Sequence, residues 1–166
     1  MSSIVYIMRH GIAEDNAASG DDADRRLTPE GRRKVVEVAR GLKAMDVKPA
    51  AIFSSPLPRA LETATLTASV LDADLDVETM LTLGPGYDAP ATINSLPSQR
   101  GESIMLVGHQ PHLGELASFL LTGSQSLAQL PFKKGAVAAI QVGALPPRTA
   151  GMLLWFMTPK QLRGMA

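Results

Sequence analysis

Cysteine is absent from the 166 residues. Disulfides, thiolate metal sites and a cysteine-dependent phosphatase mechanism are therefore excluded, and the absence fits a cytoplasmic protein. An excess of either charge is also missing. Sixteen basic and sixteen acidic residues cancel, so nothing draws the whole chain to nucleic acid or an anionic membrane. No apolar run reaches the about 18 residues that a membrane span needs. The opening Met1–Met8 segment is too short in apolar character, and meets charge too soon at Arg9, to read as a signal peptide. Repeats, low-complexity tracts and linkers are lacking too. With 45% apolar and 19% charged residues, the expectation is one domain, 1–166, with a sizeable core.

What is present alternates between strand and helix signals. Ile4–Met8 is a continuous apolar run with β-branched residues, the pattern of a strand buried on both faces. Residues 13–26 are polar and read as a loop. Thr28 and Pro29 then open a helix whose buried stripe is Val35, Val38, Ala39, Leu42 and Met45. Residues 50–53 form a short strand. Ser55 caps and Pro56 starts a second helix, with Leu57, Leu61, Ala64, Ala68 and Leu71 on its buried face. A weak strand over 75–77, a turn at Gly84-Pro85-Gly86 and a short helix over 89–96 follow. Ile104–Val107 is another apolar strand, and Pro111 starts a helix closed by Gly123. Strands over 136–142 and 152–157 complete the chain. This order predicts a three-layer α/β/α sandwich on a mainly parallel sheet, with ligands bound beyond the carboxyl ends of the strands.

Three motifs stand at such ends. In Arg9-His10-Gly11, a neutral imidazole can accept a phosphoryl group, Arg9 offers a fork of donors matched to phosphate, and Gly11 lets backbone approach a ligand. An exposed Arg and a capping His at a strand end is the bland alternative. In Ser54-Ser55-Pro56-Leu57-Pro58-Arg59-Ala60, Arg59 adds charge in a first helical turn; alternatively it pairs with Glu62 on the surface. In Val107-Gly108-His109, the imidazole can donate to phosphate oxygens, or it is a core or capping histidine. Phosphoryl transfer needs positioning and dense positive charge above all. Two arginines and two of the chain's three histidines at one sheet edge supply both.

Together, Arg-His-Gly, Ser-Ser-Pro-x-x-Arg-Ala and Val-Gly-His resemble the histidine phosphatase superfamily, which also holds the phosphoglycerate mutases. Leu27-Thr28-Pro29-Glu30-Gly31, Val107-Gly108-His109-Gln110-Pro111 and Phe132-Lys133-Lys134-Gly135 look like the compact SixA-type phosphohistidine phosphatases. The resemblance implies a phosphoglycerate mutase-like fold and a transiently phosphorylated His10. It implies a phosphate pocket of Arg9, Arg59 and His109, and no metal or other cofactor. Asn16 matches an Asn that mutase-like members place beside phosphate.

Larger members carry an acid that protonates the leaving oxygen. Asp88 is the nearest candidate here, with a loop or cap role as its alternative; Glu14 and Asp15 fall in a solvated loop. An alkoxide leaving group needs such a donor, whereas a phosphorylated imidazole can depart neutral. The expected substrate is therefore phosphohistidine; the resemblance implies a signalling protein as its carrier, with a receiver or histidine phosphotransfer domain as the partner class, and Lys133 and Lys134 are candidate contacts to an acidic partner, or a neutral solvated pair. A small-molecule phosphomonoesterase, a non-catalytic phosphate-binding module and a metal hydrolase using His10, His109 and His112 remain alternatives.

Overall fold

The computed structural model describes residues 2–97 and 102–166. Strand β1 (Ser3–Arg9) carries the first apolar run. Successive side chains on a strand point to opposite faces. Val5 and Ile7 thus enter one half of the core, Tyr6 and Met8 the other, and all four are buried. That two-sided burial explains why the run shows no polar alternation.

Five further strands, β2 (Ala51–Ser54), β3 (Val77–Thr79), β4 (Ile104–Gly108), β5 (Val137–Val142) and β6 (Met152–Met157), complete a sheet of order β3-β2-β4-β1-β5-β6. The first four strands in chain order run parallel, while β5 opposes β1 and β6 opposes β5. Helices α1 (Pro29–Ala44), α2 (Pro58–Leu71) and α5 (Pro159–Arg163) cover the Met8 face. Helices α3 (Ala89–Asn94) and α4 (His112–Thr122) cover the Ile7 face. The predicted mainly parallel three-layer sandwich is the observed one.

Local chemistry accounts for the helix that leads into the site. Thr28 accepts a hydrogen bond from the Gly31 amide at 2.9 Å, with Pro29 in the first turn. Val35, Val38, Ala39 and Leu42 are buried as expected, and Met45 is half-buried beyond the helix end.

Three expectations need correction. Helix α2 begins at Pro58, after Leu57, and Ser55 does not cap it. Its buried face is Ala60, Thr63, Ala64, Thr67 and Ala68, with Leu57, Leu61 and Leu71 only half-buried. The reason is hydrogen bonding back along the helix. Thr63 and Thr67 donate to the carbonyls of Arg59 and Thr63 at 2.7 and 2.8 Å, so their hydroxyls are satisfied inside the core. The weak strand falls two residues later than expected, at an exposed sheet edge. Helix α5, which was not foreseen, is short but carries a capping box of Thr158 and Gln161.

Register sets the site. Arg9 lies beside Gly108, and Ser54 beside Val107. The pairing continues past the strands: the His10 amide donates to Gly108 and the Ser55 amide to Val107. The carboxyl ends of β1, β2 and β4 are therefore level.

Candidate active site

His10 and His109 leave adjacent strands side by side. Their ring centroids are 5.2 Å apart and the rings are tilted by 55°. Both are buried, His10 to 4% exposure and His109 to 8%. His10 Nδ1 lies 2.7 Å from the Gly11 carbonyl. A carbonyl only accepts, so Nδ1 carries the proton and the lone pair belongs to Nε2. His109 Nε2 lies 2.8 Å from the Ser55 hydroxyl. That hydroxyl already accepts from the Leu57 amide at 3.2 Å. Among the described residues Nε2 is the one acceptor within reach of the Ser55 proton, and its donation there leaves His109 Nδ1 as an N–H donor.

Two guanidiniums complete the constellation. Arg9 Nη1 donates to the Phe132 carbonyl at 2.8 Å. Arg59 Nη1 donates to the Asp22 carbonyl at 3.2 Å, and Nη2 lies 3.7 Å from the Asp22 carboxylate. Arg9 Nε, Arg59 Nε and His109 Nδ1 are buried without a hydrogen-bond partner. Unpartnered buried donors are costly for a fold to keep, and an oxyanion is a ligand whose chemistry satisfies such donors.

Electrostatics agrees. Burial pushes the His10 pKa down to about 3; the Gly11 bond opposes this, and His109, Arg59 and Arg9 push it further down. Burial likewise lowers His109 to about 4, helped by Arg59, His112, Arg9 and Arg25. Both imidazoles are neutral at pH 7, so His10 Nε2 is available to a phosphorus electrophile.

The surrounding backbone is built for close approach. The Gly11 amide donates to the Thr63 hydroxyl at 3.0 Å, locking the strand exit to α2. A Cβ on Gly11 would stand 2.6 Å from the Val35 side chain. The Gly135 amide donates to the carbonyls of both Arg9 and His10, with φ at +87°. Phe132 and Gly135 thus brace the exit of β1.

The sequence profile of the histidine phosphatase superfamily (branch 1) matches residues 5–83. An uncharacterized protein of Picosynechococcus sp. is 33% identical over 165 residues, covering 95% of this chain and 98% of its own. A protein histidine phosphatase SixA solved with tungstate superposes with a TM-score of 0.82 at 28% identity, covering 96% and 99% of the two chains. The chain belongs to the histidine phosphatase superfamily. Phosphoglycerate mutase from Bacillus anthracis shares the superfamily fold, with a TM-score of 0.69 at 15% identity over 99% and 96% of the chains.

Within this histidine phosphatase fold, the sequence-predicted Arg9, His10, Gly11, Arg59 and His109 come together. Among the described residues, neither Asn16 nor Asp88 makes a side-chain hydrogen bond or ion pair to any of these five. Asn16 is exposed on its loop. Asp88 caps α3, accepting from the Ala91 amide at 2.9 Å. Glu62 pairs with Arg32 at 2.7 Å, not with Arg59. His112 stacks on Tyr87, ring centroids 4.0 Å apart and nearly parallel. Among the described residues, no three His, Cys, Asp or Glu side chains cluster as a metal site would require.

Three contributors escaped the sequence reading. Ser55 orients His109, Thr63 anchors Gly11, and Arg25 adds positive charge against Arg59 and His109. Arg25 is held by the Asp22 carboxylate at 2.9 Å and the Glu14 carbonyl at 3.0 Å. Hydroxyl residues have ready local uses in caps, and Arg25 sits in a charged loop, so spacing alone carries no signal for any of them.

Proposed function

We propose that this protein is a phosphatase that works through a phosphorylated His10, and that its substrate is phosphohistidine on a signalling protein. The reading is carried by the neutral, buried His10, whose Nε2 lone pair is free and which lies close enough to Arg9, Arg59 and His109 for all three to lower its pKa.

In the first step, His10 Nε2 attacks phosphorus and the bond to the leaving group breaks. Arg9, Arg59 and His109 Nδ1–H hold the three equatorial oxygens, and Arg25 reinforces the field. In the second step, water attacks the phosphorylated His10, phosphate departs, and Nε2 regains its lone pair.

The leaving group follows from what bears on the two imidazoles. Burial first, and then neighbouring arginines and imidazoles, lower both pKa values, and no carboxylate is among the causes. An alkoxide, whose conjugate acid has a high pKa, departs slowly without a proton donor. A histidine side chain protonated on its other ring nitrogen leaves as neutral imidazole. A histidine phosphotransfer domain in the cytoplasm fits as the carrier of that group. No helix among the described residues is long and apolar enough to cross a membrane.

The test is rapid-quench trapping with a phosphorylated phosphotransfer domain. Wild type is expected to acquire an acid-labile, base-stable phosphoryl group on His10, and His10→Ala to lose turnover altogether. Persistent turnover by His10→Ala would end the proposal. A sugar phosphate hydrolysed as fast as the phosphohistidine protein would point to a small-metabolite phosphatase.

A further inference from the structure

A cleft of about 290 Å³ lies between α1, the Phe132–Gly135 segment and α5, and Gly11 lines its inner end. Its floor includes Val35, Val38 and Pro159; its rim carries Lys34, Lys133, Lys134, Lys160 and Arg163. Five cations on one cleft mark a strong segregation of charge in a chain whose net charge is zero. Lys34 pairs with Glu30 at 3.0 Å, and Arg163 stands 3.7 Å from Glu37. Lys133, Lys134 and Lys160 are exposed and form no ion pair among the described residues.

The topology places this cleft on the reacting edge of the sheet. Strand β6 ends at Met157, opposite Val137, which in turn pairs with Met8. The start of α5 therefore lies level with the exit of β1, where His10 stands. A protein that delivers a phosphorylated side chain to His10 must lay its neighbouring surface along this edge.

We propose that the cleft is a docking surface for an acidic face of the phosphohistidine-bearing protein. Carboxylates of that face meet Lys133, Lys134 and Lys160. The inference rests on the phosphohistidine reading above and names the partner surface that reading left open. Rim charges of this kind act mainly by speeding encounter, and their effect weakens with salt.

The variant K133E/K134E/K160E reverses the three unpaired charges. All three side chains are solvent-exposed, and Lys160 occupies the first turn of α5, where a carboxylate suits the helix dipole. Two substrates with the same leaving group separate docking from chemistry: an acidic phosphotransfer domain carrying phosphohistidine, and free phosphohistidine. We expect kcat/KM on the domain to fall on the order of tenfold or more, with free phosphohistidine unaffected. Wild-type turnover of the domain should also slow as salt rises, and that of the variant should not. Equal loss on both substrates, or no loss on either, overturns the docking surface. So does binding to anionic lipid vesicles that the variant loses while its turnover of the domain stays intact. Failure of the underlying reading would show separately, as His10→Ala retaining activity on both substrates.

Discussion

At the scale of single residues, one hydroxyl decides which face of an imidazole is useful. Ser55 Oγ accepts from the Leu57 amide and holds His109 Nε2, leaving Nδ1–H for the phosphoryl group. Ser55→Ala removes that orientation without touching the phosphate directly. We expect kcat for phosphohistidine to fall about 10- to 100-fold, with the thermal midpoint shifting far less. An unchanged kcat would show that His109 needs no such support. Arg9, His10, Arg59 and His109 were legible in the sequence because each follows a strand signal and each has a side chain suited to phosphate. Ser55 and Thr63 were not, because a hydroxyl near a helix start has a sufficient local explanation as a cap. For Asp88 the structure shows the capping role that the sequence also offered, at the start of α3.

At the scale of elements, α1 is clamped between strand exit and C-terminal helix. A Cβ on Gly31 would collide with the Ile12 carbonyl, and one on Gly41 with the Leu162 carbonyl. Gly41→Ala should therefore separate α1 from α5 and cost about 1–3 kcal/mol, read as a shift in urea midpoint. Because Gly41 is remote from His10 along α1, the variant should keep wild-type kcat at low temperature. A neutral substitution would mean that the two helices slide apart freely. Helix α1 was legible from its cap and stripe. Helix α5 was not, since five residues carry too little periodicity to announce a helix. The threonine face of α2 was hidden for another reason: hydrophobic patterning counts Thr as polar, although its hydroxyl is satisfied within the helix.

At the scale of the whole molecule, the site makes stability depend on pH. His10 and His109 have folded-state pKa values of about 3 and about 4, below the 6.5 of an unhindered histidine. Between those limits the unfolded chain binds protons that the folded chain does not. Stability from these groups is therefore complete above about pH 6.5 and falls as pH drops toward 4, by about 1 kcal/mol per histidine per pH unit. Thermal melts between pH 7 and 5 should show this decline, and the double variant H10Q/H109Q should flatten it. An identical slope in that variant would place the acid sensitivity elsewhere.

The alternation of apolar runs and capped helices was enough to specify a mainly parallel sandwich, because burial on both sheet faces imposes an uninterrupted hydrophobic strand that can be read one-dimensionally. The chemical types at the strand ends were equally plain. What folding alone settled was register and mutual orientation. Arg9 had to lie beside Gly108, and Ser54 beside Val107, before two imidazoles could stand 5.2 Å apart. The proton position on His109, the recruitment of Arg25 and the gathering of five cations around one cleft depend on partners 11 to more than 100 residues away along the chain. Contacts between such distant residues are set by how layers pack, which no local spacing encodes.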